Sequence, residues 1–183
     1  MFRTDYIIQL MPKYIAFLRG INVGGRSLKM TELKSCFEEL GFTSVTTLLQ
    51  TGNVIFETST TQPDLKATIE NELVSKFHFP IKVQILSFDK LKDIVAESPF
   101  SPDDNNHRYV VFFENDLEKQ LMNEATEIID SIETVRIGDS VIYWRVPIGL
   151  TLKSGFAKYL TKTKYKNFNT IRNIKTLYKL INP

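Results

Sequence analysis

Cysteine occurs once in the 183 residues, at Cys36, and histidine twice, at His78 and His107. A single thiol excludes an intrachain disulfide and a thiolate zinc cluster. Two imidazoles without H-E-x-x-H or C-x-x-C spacing form no metal motif, so neither a metal nor a cofactor is expected. Catalytic signatures are missing too. G-x-S-x-G and G-x-G-x-x-G do not occur, and no motif sets either histidine beside a nucleophile. No apolar run reaches the ~20 residues of a membrane helix. Gln9, Pro12 and Lys13 interrupt the hydrophobic start, and no small-residue cleavage site follows it. With a lone free thiol, the expectation is a cytoplasmic protein without a membrane partner.

What remains is the composition of a folded globular chain, 43% apolar and 24% charged, long enough for one domain or two small ones. Met11-Pro12-Lys13 opens directly into Tyr14-Ile15-Ala16-Phe17-Leu18. Met11 is therefore the expected natural start, and residues 1–10 an upstream extension. The run over 14–21 reads as a strand. Leu33, Cys36, Phe37 and Leu40 fall at i, i+3, i+4, i+7, and Gly41 stands where that helix would stop. Residues 43–50 and 53–58 read as strands joined around Thr51-Gly52. Leu65, Ile69, Leu73 and Phe77 outline a second helix from Pro63, closed by Pro80, and 81–86 is a further strand. This βαββαβ order predicts an α+β unit over 11–88, a four-stranded antiparallel sheet with two helices on one face.

Residues 89–183 form the second expected unit. A helix over 89–97 precedes the strand 109–113. Leu117, Leu121, Ala125 and Ile128 mark the next helix, and 133–137 with 140–146 a hairpin turning on Gly138-Asp139. The βαββ order repeats, as a diverged duplication would. The remainder reads as helical over 154–161, with a final helix outlined by Ile171, Ile174, Leu177, Tyr178 and Ile181. Cys36, within an apolar stripe, reads as a core residue. His78 reads as a helix-end residue, His107 as a loop or surface residue, and Asp103-Asp104 as part of a solvated loop.

Charge is the informative asymmetry. From Ser140 to Pro183 there is no Asp or Glu and there are nine basic residues; all 21 acidic residues fall earlier, with the other 14 basic ones. Such a segment either docks on the protein's own acidic part or presents a basic face to a polyanion. The aromatics Phe156, Tyr159, Tyr165 and Phe168 alternate with its lysines, a composition suited to base stacking beside phosphate contacts. Arg172, Lys175 and Lys179 fall at i, i+3, i+7, on one face of the expected last helix. With Asn169 or Thr170 as its cap, Arg172 would occupy the first turn, where the helix dipole disfavours a cation. A carboxylate partner or a bound anion would offset that.

The loop Gly20-Ile21-Asn22-Val23-Gly24-Gly25-Arg26-Ser27 matches the phosphate-binding pattern G-x-x-x-x-G-K-[ST] except that Arg26 replaces the lysine. The βαββ setting and the missing magnesium-binding Asp argue against nucleotide hydrolysis. A nest of backbone N–H groups with Arg19 and Arg26 supplying charge, and a purely structural glycine turn, both remain.

Three segments carry a resemblance. Tyr14 to Gly25, Gln50-Thr51-Gly52-Asn53-Val54-Ile55-Phe56, and Thr170-x-Arg172-Asn173-x-x-Thr176 with Lys179-Leu180 resemble, in order, the signatures of a bacterial family of unknown function, number 1697. Ile174 stands where members commonly have an aromatic. The resemblance implies two ferredoxin-like subdomains and supplies no activity. The leading expectation is an anion-binding protein, its ligand a nucleotide, a phosphate ester or nucleic acid. The candidate contacts are Arg19, Asn22, Gly24, Gly25, Arg26, Asn53, Arg172, Asn173, Lys175 and Thr176. An enzyme acting on a phosphorylated small molecule between the subdomains, and an assembly module without catalysis, are the alternatives.

Overall fold

A computed structural model describes residues 11–21, 28–60, 62–114, 116–125 and 131–182. The chain divides into two compact units, the first ending at Phe88 and the second beginning at Asp89. The first unit runs β1 (Lys13–Arg19), α1 (Met30–Glu39), β2 (Thr43–Leu48), β3 (Asn53–Glu57), α2 (Gln62–Phe77), β4 (Lys82–Ser87). Its sheet is antiparallel in the order β2-β3-β1-β4. The helical stripes meet the sheet where their spacing put them. Leu33, Cys36 and Phe37 of α1 and Leu65, Ile69 and Leu73 of α2 form one core with Ala16, Leu18, Val54, Phe56, Val83 and Ile85. Ile15 and Phe17, on the opposite face of β1, are also fully buried. Burial on both faces is why β1 shows an unbroken apolar run rather than an alternation.

The second unit begins within α3 (Phe88–Ala96) and continues β5 (Asn106–Phe113), α4 (Leu117–Ala125), β6 (Thr134–Ile137), β7 (Val141–Pro147). A single 3-10 turn (Thr151–Lys153) leads to the short helices α5 (Gly155–Leu160) and α6 (Thr163–Lys166), then to β8 (Asn169–Asn173) and α7 (Ile174–Ile181). Its sheet order, β6-β7-β5-β8, is the order of the first with each strand replaced by its counterpart. Both units are ferredoxin-like α+β plaits.

One expectation is corrected here. The final helix does not begin near Asn169: residues 169–173 are strand β8, paired antiparallel with β5 from Tyr109↔Asn173 to Phe113↔Asn169. Without β8 that edge of β5 would carry unpaired N–H and C=O groups, and the pairing outweighs the helical spacing of Ile171 and Ile174. The cap is Asn173, whose side-chain oxygen accepts from Lys175 N at 2.9 Å. Arg172 is therefore a strand residue. The three-residue basic face reduces to Lys175 and Lys179, and no helix dipole opposes Arg172. β5 also starts three residues earlier than expected, at Asn106, so that His107 is a strand residue rather than a loop residue.

Two glycines separate backbone need from space. Gly41 (φ +81°) ends α1 with nothing near an added Cβ, as a left-handed residue after a helix should. Gly52 (φ +68°) accepts from Leu18 N at 2.8 Å, and a Cβ there would lie 2.9 Å from Leu18 Cβ and overlap the Ile21 side chain. Gly41→Ala should cost about 1–2 kcal/mol, the left-handed penalty alone. Gly52→Ala should cost a further ~1–3 kcal/mol for the overlap. Urea unfolding of the two variants checks the ranking; equal losses would contradict it.

Candidate functional site

Four of the expected contacts, Asn22, Gly24, Gly25 and Arg26, lie outside the described residues. Arg19 and Asn53 do not, and the first sheet brings them to one end. Arg19 closes β1 opposite Lys82 of β4, half-buried, and Phe17 pairs with Asn53. The β2–β3 turn packs there against Leu18 and Ile21, so two of the family-like segments converge. Asn53 has a structural duty at that corner. It is fully buried, and its side-chain amide donates to Leu48 O at 3.0 Å and Thr51 Oγ1 at 2.8 Å, tying the turn shut.

The C-terminal candidates are contiguous at the β8–α7 junction. Arg172 is half-buried in β8 opposite Val110 and donates to Ile171 O at 3.0 Å. Asn173 caps α7, Lys175 is exposed in its first turn, and Thr176 is half-buried. Ile174, standing where an aromatic is common, is buried as the first residue of α7. Packing, not ligand stacking, is its role.

The interleaved aromatics also read differently in three dimensions. Phe156, Tyr159 and Tyr165 are buried, so of the four only Phe168 is substantially exposed. The two tyrosine hydroxyls meet at Glu124 of α4, whose carboxylate accepts from Tyr159 Oη and Tyr165 Oη at 2.7 Å each, and from Lys164 Nζ at 2.6 Å. The Lys164 contact, then the two tyrosines, hold the Glu124 carboxyl down at about 2. Burial, then the carboxylate, pushes both tyrosines up to about 12. A second carboxylate, buried Glu133, accepts from Trp144 Nε1 at 2.7 Å and from the Phe156 backbone N at 2.9 Å. These two acids fasten α5 and α6 to α4 and β7.

Beside this fastening lies a feature the linear sequence did not reveal, a cavity of about 260 Å³ wholly within the second unit. Tyr109 of β5 and Trp144 of β7 form one wall, their rings 5.0 Å apart at 30°. Ile171, Ala157, Leu152 and Lys166 come from β8, α5, the 3-10 turn and α6. Leu152, 88% exposed, contributes apolar surface at this cavity, and no pattern in the linear sequence marked the set.

Among the described residues, neither the cysteine nor either histidine lines the cavity. Cys36 is buried in the first core, and burial raises its thiol to about 11. His78 is exposed after α2, and His107, in β5, lies against the Tyr109 ring. Among the described residues no group of three His, Cys, Asp or Glu could hold a metal ion, and no helix is long and apolar enough to cross a membrane.

The family model described as "Protein of unknown function (DUF1697)" matches residues 11–143. The chain is also similar to a solved structure described as that of the conserved bacterial protein SP0830 from Streptococcus pneumoniae. The identity is 27% and the TM-score 0.75, covering 94% of this chain and 98% of that one. No curated protein matches.

The Glu124 node gives a pH test. Its folded carboxyl sits at about 2 against an ordinary 4.5, so its stabilisation is complete above the ordinary value and is lost as pH falls toward 2. Glu124→Gln should lower Tm at neutral pH and flatten the decline of stability through that acid window. Urea unfolding across pH reads both, and an unchanged decline would refute the assignment.

Proposed function

We propose, for a chain that belongs to the DUF1697 family of proteins of unknown function, that the activity is binding of an anionic ligand: a nucleotide, a phosphate ester or nucleic acid. The observation that carries this reading is the acid-free segment Ser140–Pro183 with its nine basic residues. Among the described residues, self-neutralisation accounts for little of it. Lys164 pairs with Glu124 at 2.6 Å and Lys162 lies over the Tyr159 ring. Lys153, Lys158, Lys166, Lys175 and Lys179 are exposed and have no carboxylate partner among the described residues. A surface of one sign concentrates counter-charged ligands and steers their approach. Phosphate contacts made by such lysines release counterions on binding.

The lysines follow two parts of the second unit. Lys153, Lys158, Lys162 and Lys166 accompany the 3-10 turn, α5 and α6, whereas Lys175 and Lys179 ride on α7. The cavity belongs to the first group, and that group is the proposed binding face. Arg172, at the β8–α7 junction, belongs with the second.

Fluorescence anisotropy of a labelled single-stranded oligonucleotide against salt tests the reading. Affinity should fall log-linearly with salt, with a slope of about −0.7 per phosphate contacted. Lys153→Glu with Lys158→Glu should weaken binding more than tenfold, and Lys175→Glu with Lys179→Glu should do so far less. No binding of oligonucleotide or nucleotides at low ionic strength would overturn the proposal; equal losses in the two double variants would overturn the choice of face.

A further inference from the structure

We infer that the cavity of the second unit is a subsite for a planar heteroaromatic ring carrying a phosphate, as in a nucleoside monophosphate. The inference deepens the anion-binding reading by naming the part of the ligand that this pocket takes. Four observations converge. The volume, about 260 Å³, lies just below the range that encloses a whole drug-sized ligand, and so suits a ring with its substituent left at the mouth. The wall is aromatic: Trp144 is 1% exposed, while Tyr109 is half-buried and presents the more accessible face. Every base has a π-face to stack on such a surface.

The polar groups are divided in a way that suits this ligand. Asn169, although at the wall, donates to Leu160 O at 3.2 Å and Tyr165 O at 2.7 Å. Thr161 donates to Lys158 O at 2.7 Å. Both hold the backbone around the cavity. Thr151 and Lys166 also line the cavity, and among the described residues no hydrogen bond or ion pair engages their side chains. A cavity with apolar walls beside an exposed lysine selects an amphiphilic anion over a bare one. Finally, Leu152, 88% exposed, lines the same cavity and offers apolar surface to a ring that enters.

The chain's single tryptophan is Trp144, in the wall of this cavity, so its emission is a reporter placed at the site. Titration with AMP and CMP should quench it saturably. Adenosine should bind about tenfold more weakly for want of the phosphate, and ribose 5-phosphate should give no saturable change. Ala157→Leu fills the cavity and should abolish AMP quenching. Leu152→Glu, at an exposed position that leaves folding intact, should weaken AMP by about tenfold or more through like charge. Lys166→Ala should weaken AMP but not adenosine.

Ribose 5-phosphate binding as well as AMP, or AMP binding unchanged in both Ala157→Leu and Leu152→Glu, would overturn the inference. So would the absence of saturable quenching by AMP and CMP. If oligonucleotide still binds in a salt-dependent manner to Ala157→Leu while mononucleotides bind nowhere, the subsite fails and the broader anion reading stands. Loss of both removes both.

Discussion

The pairing of β5 with β8 decides most of what the second unit is. β5 already has β7 along one side. Its other edge is completed by five residues, Asn169 to Asn173, drawn from a stretch with helical spacing. Backbone groups at a buried edge must find partners, and the loss of a local helical preference of a few tenths of a kcal/mol per residue is small beside that requirement. Three consequences follow from the one interaction. The sheet becomes a full counterpart of the first. The chain must turn immediately into α7, with Asn173 as its cap. Ile171 and Asn169 are delivered to the wall of the cavity rather than to a helix surface.

The family-like segments look different once the fold is known. Asparagine and glycine serve anion nests, but they also serve turns and caps, and several here are occupied with the second duty. Gly52 allows the β2–β3 turn to approach Leu18 and Ile21, Asn53 ties that turn from a buried position, and Asn173 caps α7. These residues fix the corners of the two sheets. In the proposed reading, charge and shape for a ligand come from elsewhere, from lysines on the short helices α5 and α6 and from a wall of tyrosine and tryptophan.

Much of the architecture was legible because it rests on local periodicity. The stripes Leu33-Cys36-Phe37 and Leu65-Ile69-Leu73 pointed inward as their spacing required, and Thr51-Gly52 and Gly138-Asp139 marked the hairpins. The buried state of Cys36 was legible for the same reason. What could not be read depends on contacts distant in sequence. β8 is specified by an edge nearly sixty residues earlier, so the local pattern misled. Tyr159 and Tyr165 looked available for stacking until Glu124, some forty residues away, drew their hydroxyls together. The cavity gathers residues from Tyr109 to Ile171, a set with no linear signature.

The central claim is that a ring-bearing phosphate lodges between the β5–β7 aromatic wall and the lysine-bearing short helices. Amide and indole chemical shifts, followed during titration of the labelled protein with AMP, test it most directly. The account predicts the largest, saturable shifts at the Trp144 indole N–H and the backbone amides of Leu152, Ala157 and Thr161, with α7 little affected. Shifts centred on Lys175 to Lys179, or confined to the first unit, would contradict it.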